Sequence, residues 1–201
     1  MTTRSVVHLL TDLSRLPDRS EVGIFLPTHA LFPAHAAAVL MTMPLVDTNT
    51  ALRQHLEIAR LGSNRIYAGI FAADPFAEWS EMEDALRRVG ILGIINFPSV
   101  ALHDDETANH LDEVGLGFGS ECDRLSMLQD AGFRIALTLR NSAQAKVARN
   151  LRPDFVVLYD TGTLDEVQLA RQCGEFRDIF GDIEVHCYGR GALRPIVADL
   201  R

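Results

Sequence analysis

Polar side chains at the ends of short apolar runs are where this sequence can do chemistry. The runs are VGIFLP (22–27), AAVLMTMP (37–44), RIYAGIFA (65–72), ILGIINF (91–97), FRIALTL (133–139), DFVVLYD (154–160) and IEVHCYGR (183–190). At or after their ends stand Thr28, His29, Asp47, Asn49, Asp74, Asn96, Ser99, His103 and Glu113. Further along come Thr138, Arg140, Tyr159, Asp160, His186, Tyr188 and Arg190. A guanidinium holds a carboxylate through paired hydrogen bonds, so Arg140 or Arg190 can bind a small acid. A carboxylate or histidine beside it can then move a proton. The Asp and Glu oxygens can also take a divalent metal, which leaves a metal open while no other cofactor is expected.

Each of these residues has a plainer reading. Asp74 precedes Pro75, and Asp47 and Asn141 precede helical stretches, so all three fit helix caps. His103-Asp104-Asp105-Glu106 fits a solvated acidic turn, and its spacing matches no standard metal-ligand motif. Asn96 is different, because it ends an otherwise apolar strand and a buried amide needs partners. The glycines of Gly115-Leu116-Gly117-Phe118-Gly119 precede a helix and can cradle an anion, although the spacing is not that of a dinucleotide fold.

The runs are apolar on both faces, which is the pattern of a parallel sheet covered by helices. Amphipathic stretches at Leu52–Leu61, Trp79–Val89, Glu121–Ala131 and Asp165–Phe176 separate them. Glycines 62, 90 and 132 sit where helices should stop. The order is a strand and a helix, repeated about seven times, after a helix near residues 6–16. One connection, Pro98 to Gly119, reads as a long loop, and long loops inside compact domains are usually functional. The fold class is therefore α/β, a single domain over 1–201. It is either a shortened (β/α) TIM-type barrel of about seven parallel strands with its eighth unit missing, or an open doubly wound sheet. In both, ligands sit beyond the C-terminal ends of the strands. An incomplete barrel exposes two sheet edges, which predicts a homodimer or higher homo-oligomer covering them, or a terminal segment plugging the gap.

The 201 residues carry a formal net charge of −8. Acidic chains gain nothing from counterion release, so no nucleic-acid partner is expected, and no anionic membrane. The three cysteines, Cys122, Cys173 and Cys187, are far apart, which fits a reducing compartment. The N-terminal stretch lacks a signal-peptide pattern, and the longest apolar run is too short to span a bilayer. A cytoplasmic location is expected. The single lysine, Lys146, lies mid-helix and offers little for Schiff-base chemistry.

The segments FAADPF (71–76) and GIINFPSVALHDDETANHLDEVGLGFGSECDRLSMLQDAG (93–132) carry a family resemblance. They resemble the TIM-barrel family described as phosphoenolpyruvate hydrolase-like, also as indole-glycerol-phosphate-synthase-like. The C-terminal barrel of a plant antiviral resistance protein is related to it. The matching residues are Asp74-Pro75-Phe76, Gly93, Asn96-Phe97-Pro98, Val100, Leu111, Glu113, Gly115, Gly117 and Glu121, and Asp47 with Asn49 is similar to the family's DAN segment. LPTHALFP (26–33) replaces the family's glycine-rich turn, and Tyr159 and Tyr188 stand where the family has histidines.

The resemblance favours the barrel and implies an enzyme, a lyase or hydrolase of a small acidic carbonyl-containing metabolite. Asp74 or Glu113 would be general acid/base, Asn96 would orient the substrate, and Tyr159 and Tyr188 would donate protons. Asp47, Asn49, Ser99, His103, Arg140 and Arg190 would bind it. The other reading is a non-catalytic barrel, serving as ligand sensor or partner subunit.

Overall fold

A computed structural model describes residues 7–13, 21–34, 36–58, 65–160, 162–189 and 192–195. Its strands are β1 (Val7–Leu10), β2 (Val22–Phe25), β3 (Ile66–Ile70), β4 (Gly93–Asn96), β5 (Arg134–Leu139), β6 (Pro153–Tyr159), β7 (Glu184–Gly189) and β8 (Ala192–Pro195). They form one eight-stranded sheet in sequential order. β1 to β7 are all parallel. β8 folds back antiparallel on β7 and lies beside β1, with no ladder joining β1 and β8 among the described residues. The result is a shortened TIM-type barrel with one unsealed seam. In place of an eighth β/α unit there is a single returning strand.

The helices are α1 (Ala37–Leu40), α2 (Thr48–Ile58), α3 (Trp79–Val89), α4 (Asp105–Glu113), α5 (Phe118–Asp130), α6 (Ser142–Val147) and α7 (Glu166–Phe180). None among the described residues is long and apolar enough to cross a membrane. Alternation along each strand sorts the core into two clusters. Ile135, Leu137, Leu139, Val156, Leu158 and Val185 face the helices. Ala136, Val157, Phe155, Tyr159 and Tyr188 face the barrel axis together with Ile24, Tyr67 and Ile95. The second set fills the barrel as side-chain layers.

Two segments differ from the sequence reading, and the differences offset each other. The stretch expected as a helix near residues 6–16 supplies β1 instead, in register with β2 from Val7↔Val22 to Leu10↔Phe25. A short apolar run carries no decisive periodicity, so it can serve either way. The AAVLMTMP run is not a strand but the single helical turn α1 followed by tight turns, in keeping with the helix propensity of alanine. Ala38 and Met41 from it pack into the axial cluster.

The segment 98–119 is not an open loop. It holds a 3-10 turn (Val100–Leu102), α4 and the start of α5. Asn141 caps α6, as its place before a helical stretch suggests, and Asp165 caps α7 in a reciprocal capping box with Gln168. Gly117 precedes α5. Asp74 accepts from Phe76 N (2.9 Å) in a turn, well before α3 begins. Gly62 lies outside the described residues.

Candidate functional site at the barrel mouth

The axial side chains that end β6 and β7 are Tyr159 and Tyr188, neighbours in the ladder. Their rings stack at 5.9 Å with 17° between planes, and Phe97 packs edge-on against Tyr188 at 5.0 Å. The Tyr188 hydroxyl lies 2.7 Å from His29 Nε2 and donates to Ala34 O at 3.3 Å. His29 comes from the 3-10 turn Pro27–Leu31, which Pro27 helps to start by fixing φ. With its one hydrogen on Ala34 O, the phenol oxygen accepts from His29 Nε2–H. Burial holds the His29 pKa below its ordinary value. Burial, then the neighbouring Tyr159, pushes the Tyr188 phenol up to about 12. At neutral pH the pair is thus a neutral imidazole and a neutral phenol.

Arg140 follows β5 on the same side of the strand as Thr138 and Ala136. Its backbone N–H donates to Gln144 Oε1 (2.7 Å), and Gln144 Nε2 donates to Ala101 O (2.9 Å). Its guanidinium donates to His103 O. Thr42 Oγ1 donates to Val39 O (2.6 Å) and lies 2.8 Å from His103 Nε2. A hydroxyl has one hydrogen, so His103 is the donor in that second bond and carries its proton on Nε2. Burial, then the Arg140 charge, lowers the His103 pKa against the opposing pull of Asp104. Arg140 also counters the upward push of burial on the Tyr159 phenol. The mouth therefore gathers one guanidinium, two neutral imidazoles and two phenols in a chain whose net charge is −8.

The remaining candidates stand elsewhere. Asn96 and Ser99 are fully buried between the strand ends and α5, on the helix-facing side. The Asn96 amide shares its two hydrogens among Ser99 Oγ (3.0 Å), Glu121 Oε2 (3.1 Å) and Thr138 O (3.3 Å), and accepts from Thr138 N (2.8 Å). Asn49 is clipped to the Phe71 backbone in both directions and donates to Asp74 Oδ2 at 3.0 Å. Asp47 caps α2 by accepting from Thr50 N at 2.8 Å. Asp47 and Asp74 line an open groove of about 440 Å³ with Met41, Leu45 and Phe76, and neither Asn96 nor Glu113 reaches it. Glu113 is exposed on α4, and Arg190 lies outside the described residues. The trio Asp74, Asn96 and Glu113 is thus spread over a groove wall, a buried cluster and a solvated helix. Asp160 accepts from the backbone N–H groups of Gly162, Thr163 and Leu164 and shapes the loop after β6. Among the described residues, no three His, Cys, Asp or Glu side chains gather as a metal would need.

Sequence reasoning placed Tyr159, Tyr188, His103 and Arg140 at strand ends, and the structure brings these four together. It did not assign a role to His29, Thr42 or Glu121. Glu121 had a visible signal. It lies on the stripe of α5 marked by Phe118, Cys122, Leu125 and Leu128, where a carboxylate stands on an otherwise buried face.

Comparison with known proteins agrees with this frame. The sequence profile described as phosphoenolpyruvate hydrolase-like matches residues 33–159. The chain is 28% identical over 144 residues to the uncharacterized protein y4oT of Sinorhizobium fredii, covering 71% of this chain and 74% of that one. It is 34% identical over 95 residues to the ToMV resistance protein Tm-1 of Solanum lycopersicum, covering 45% of this chain but 12% of the tomato protein. The family match spans β3 to β6 and most of the side chains at the mouth, and the chain belongs to the phosphoenolpyruvate hydrolase-like family of TIM-type barrels.

Proposed function

We propose that this chain is a small-molecule enzyme, a lyase or hydrolase, acting at the barrel mouth on a small acidic carbonyl-containing metabolite. The observation that carries the reading is the convergence of Arg140, His103, Tyr159, Tyr188 and His29 beyond the C-terminal strand ends. Arg140 uses one of its five N–H groups on His103 O; a substrate carboxylate takes two more in a fork. The His29–Tyr188 pair lies where it can pass a proton to or from the bound molecule. Tyr188 O–H is the acid, turning its hydrogen from Ala34 O to the bound molecule, and His29 Nε2–H at 2.7 Å steadies the phenolate by its hydrogen bond until water returns the proton. His103, held by Thr42, presents Nδ1 as a further acceptor. The acid–base work thus moves from Asp74 and Glu113 to this pair. Asn96, Ser99, Asn49 and Asp47 serve the fold that supports it.

The test is calorimetric titration with phosphoenolpyruvate, oxaloacetate and pyruvate, followed by NMR for turnover. Arg140→Met should weaken binding of the acid that binds best by about tenfold or more, the size of a lost charged pair. Tyr188→Phe should keep binding and lose turnover. Equal affinity in wild type and Arg140→Met would overturn the reading.

A further inference from the structure

Glu121 is fully buried, and its two oxygens receive three donors. Val100 N donates to Oε1 at 3.0 Å, and Ser99 Oγ (2.5 Å) and Asn96 Nδ2 (3.1 Å) donate to Oε2. Counting hydrogens shows which charge state this set fits. Ser99 Oγ accepts from Ala101 N at 3.0 Å, and its own hydrogen goes to Glu121 Oε2 at 2.5 Å. Asn96 Nδ2 divides its two hydrogens among Ser99 Oγ, Glu121 Oε2 and Thr138 O. The Val100 amide and the Asn96 amide nitrogen are donors by nature. Each partner offers a hydrogen to the carboxyl group, so the network fits a carboxylate.

Burial opposes that charge. It raises the Glu121 pKa to about 7, against the downward pull of Ser99, Val100 and Asn96. The titratable neighbours on α5 are Cys122, whose thiol is pushed up to about 12 chiefly by burial, and exposed Asp123. The facing loop carries His103 and exposed Asp104, and Arg140 follows the end of β5.

The carboxylate holds a specific piece of chain. Ser99 and Val100 open the 3-10 turn, and the turn ends on His103, whose N–H donates to Val100 O at 3.2 Å. The His103 carbonyl in turn anchors the Arg140 guanidinium. A continuous run of hydrogen bonds therefore links Glu121 to the cation of the mouth.

We propose that Glu121 is a positioning residue: as a carboxylate it holds the Ser99–Leu102 turn so that His103 can anchor Arg140, and taking up a proton releases both. The part of this that concerns ligand affinity rests on the reading of Arg140 as the carboxylate anchor. The part that concerns the turn does not.

The experiment is an NMR pH titration from about pH 5 to about pH 9. It follows the Glu121 carboxyl carbon, the Val100 and Ala101 amides and the Arg140 Nε–H. The amides and the Arg140 signal should move with the same inflection as the Glu121 carbon. In Glu121→Gln that inflection should vanish while the His29 ring titrates as before. Oxalate, a dicarboxylate probe, should bind wild type about tenfold more weakly on the acid side of the inflection. In Glu121→Gln its affinity should not change across that range. Amides that stay still while Glu121 titrates would overturn the proposal, as would an unchanged inflection in Glu121→Gln. Should Glu121→Gln fail to fold, the wild-type titration decides alone. Oxalate that fails to bind at any pH would sink the proposed function, and the Val100 and Arg140 signals would still decide the role of Glu121.

Discussion

Replacing Asn96 with alanine separates a catalytic role for this residue from a structural one. The β4–β5 ladder ends at Ile95↔Ala136. Beyond it the Asn96 side chain continues the pairing as a peptide group would, accepting from Thr138 N at 2.8 Å and donating to Thr138 O at 3.3 Å. Truncation leaves those two buried groups without this partner, at about 1–3 kcal/mol each, and takes one donor from a buried carboxylate. Together that is about 4 kcal/mol, a large effect for one substitution. In a domain of this size each kcal/mol moves Tm by about 2–4 °C, so the melt should fall by about 10 °C or more. Asn96→Asp should do no better above neutral pH, because it sets a second buried carboxylate beside Glu121. The assay is thermal denaturation by circular dichroism, paired with ligand titration at a temperature where the variant is folded. A melt within about 2 °C of wild type, with ligand binding lost, would refute the reasoning and return Asn96 to the substrate.

Thr138→Val tests the opposite case. Its Oγ1 is buried on the barrel side without a hydrogen-bond partner among the described residues, so the near-isosteric swap should raise stability by about 1 kcal/mol, read from a urea midpoint. Gly69→Ala should cost at least about 2 kcal/mol by the same measurement, since a Cβ there would meet Phe97 O and stand 2.5 Å from Leu26 Cδ1. For pH, His29 and His103 have folded-state pKa values below their unfolded ones, so their contribution is present above about pH 6.5 and is lost as pH falls through the lower folded values. Glu121 has the opposite sign. Its raised pKa contributes stability that is present below its unfolded value and is lost as pH rises through about 7. Stability measured from about pH 7 down to about pH 5 should therefore fall more steeply in Glu121→Gln than in wild type.

Much of the barrel is legible in the sequence because parallel strands are buried on both faces. The runs at 65–72, 91–97, 133–139 and 154–160 announce β3 to β6 by continuous apolar character. The N-terminal run and AAVLMTMP are not decidable in this way, since each is a short apolar stretch that fits a strand or a helical turn equally well. The strand-end positions of Tyr159, Tyr188 and Arg140 are equally legible, because alternation places them once the strands are known. What they touch is not. His29 meets Tyr188 across 159 residues, and Asn96 meets Glu121 across 25, and no local pattern encodes either contact. Asp47 and Asn141 follow local rules and do what local rules say, capping helices. Asp74 follows one too, but shapes a turn, because α3 starts later than its Pro75 suggests.

The returning strand has a consequence for how the protein can be joined to other things. Val7 opens β1 opposite Val22, at the lower rim where every parallel strand begins. β8 runs downward, so that Pro195 stands opposite His186 near the start of β7. Both points therefore sit on the face away from Arg140 and Tyr188. A barrel with a complete eighth β/α unit also ends low, but only after another helix; here one strand makes the journey. A tether, tag or neighbouring domain joined at Val7 or Pro195 would leave from the underside, and the mouth would still look out into solvent.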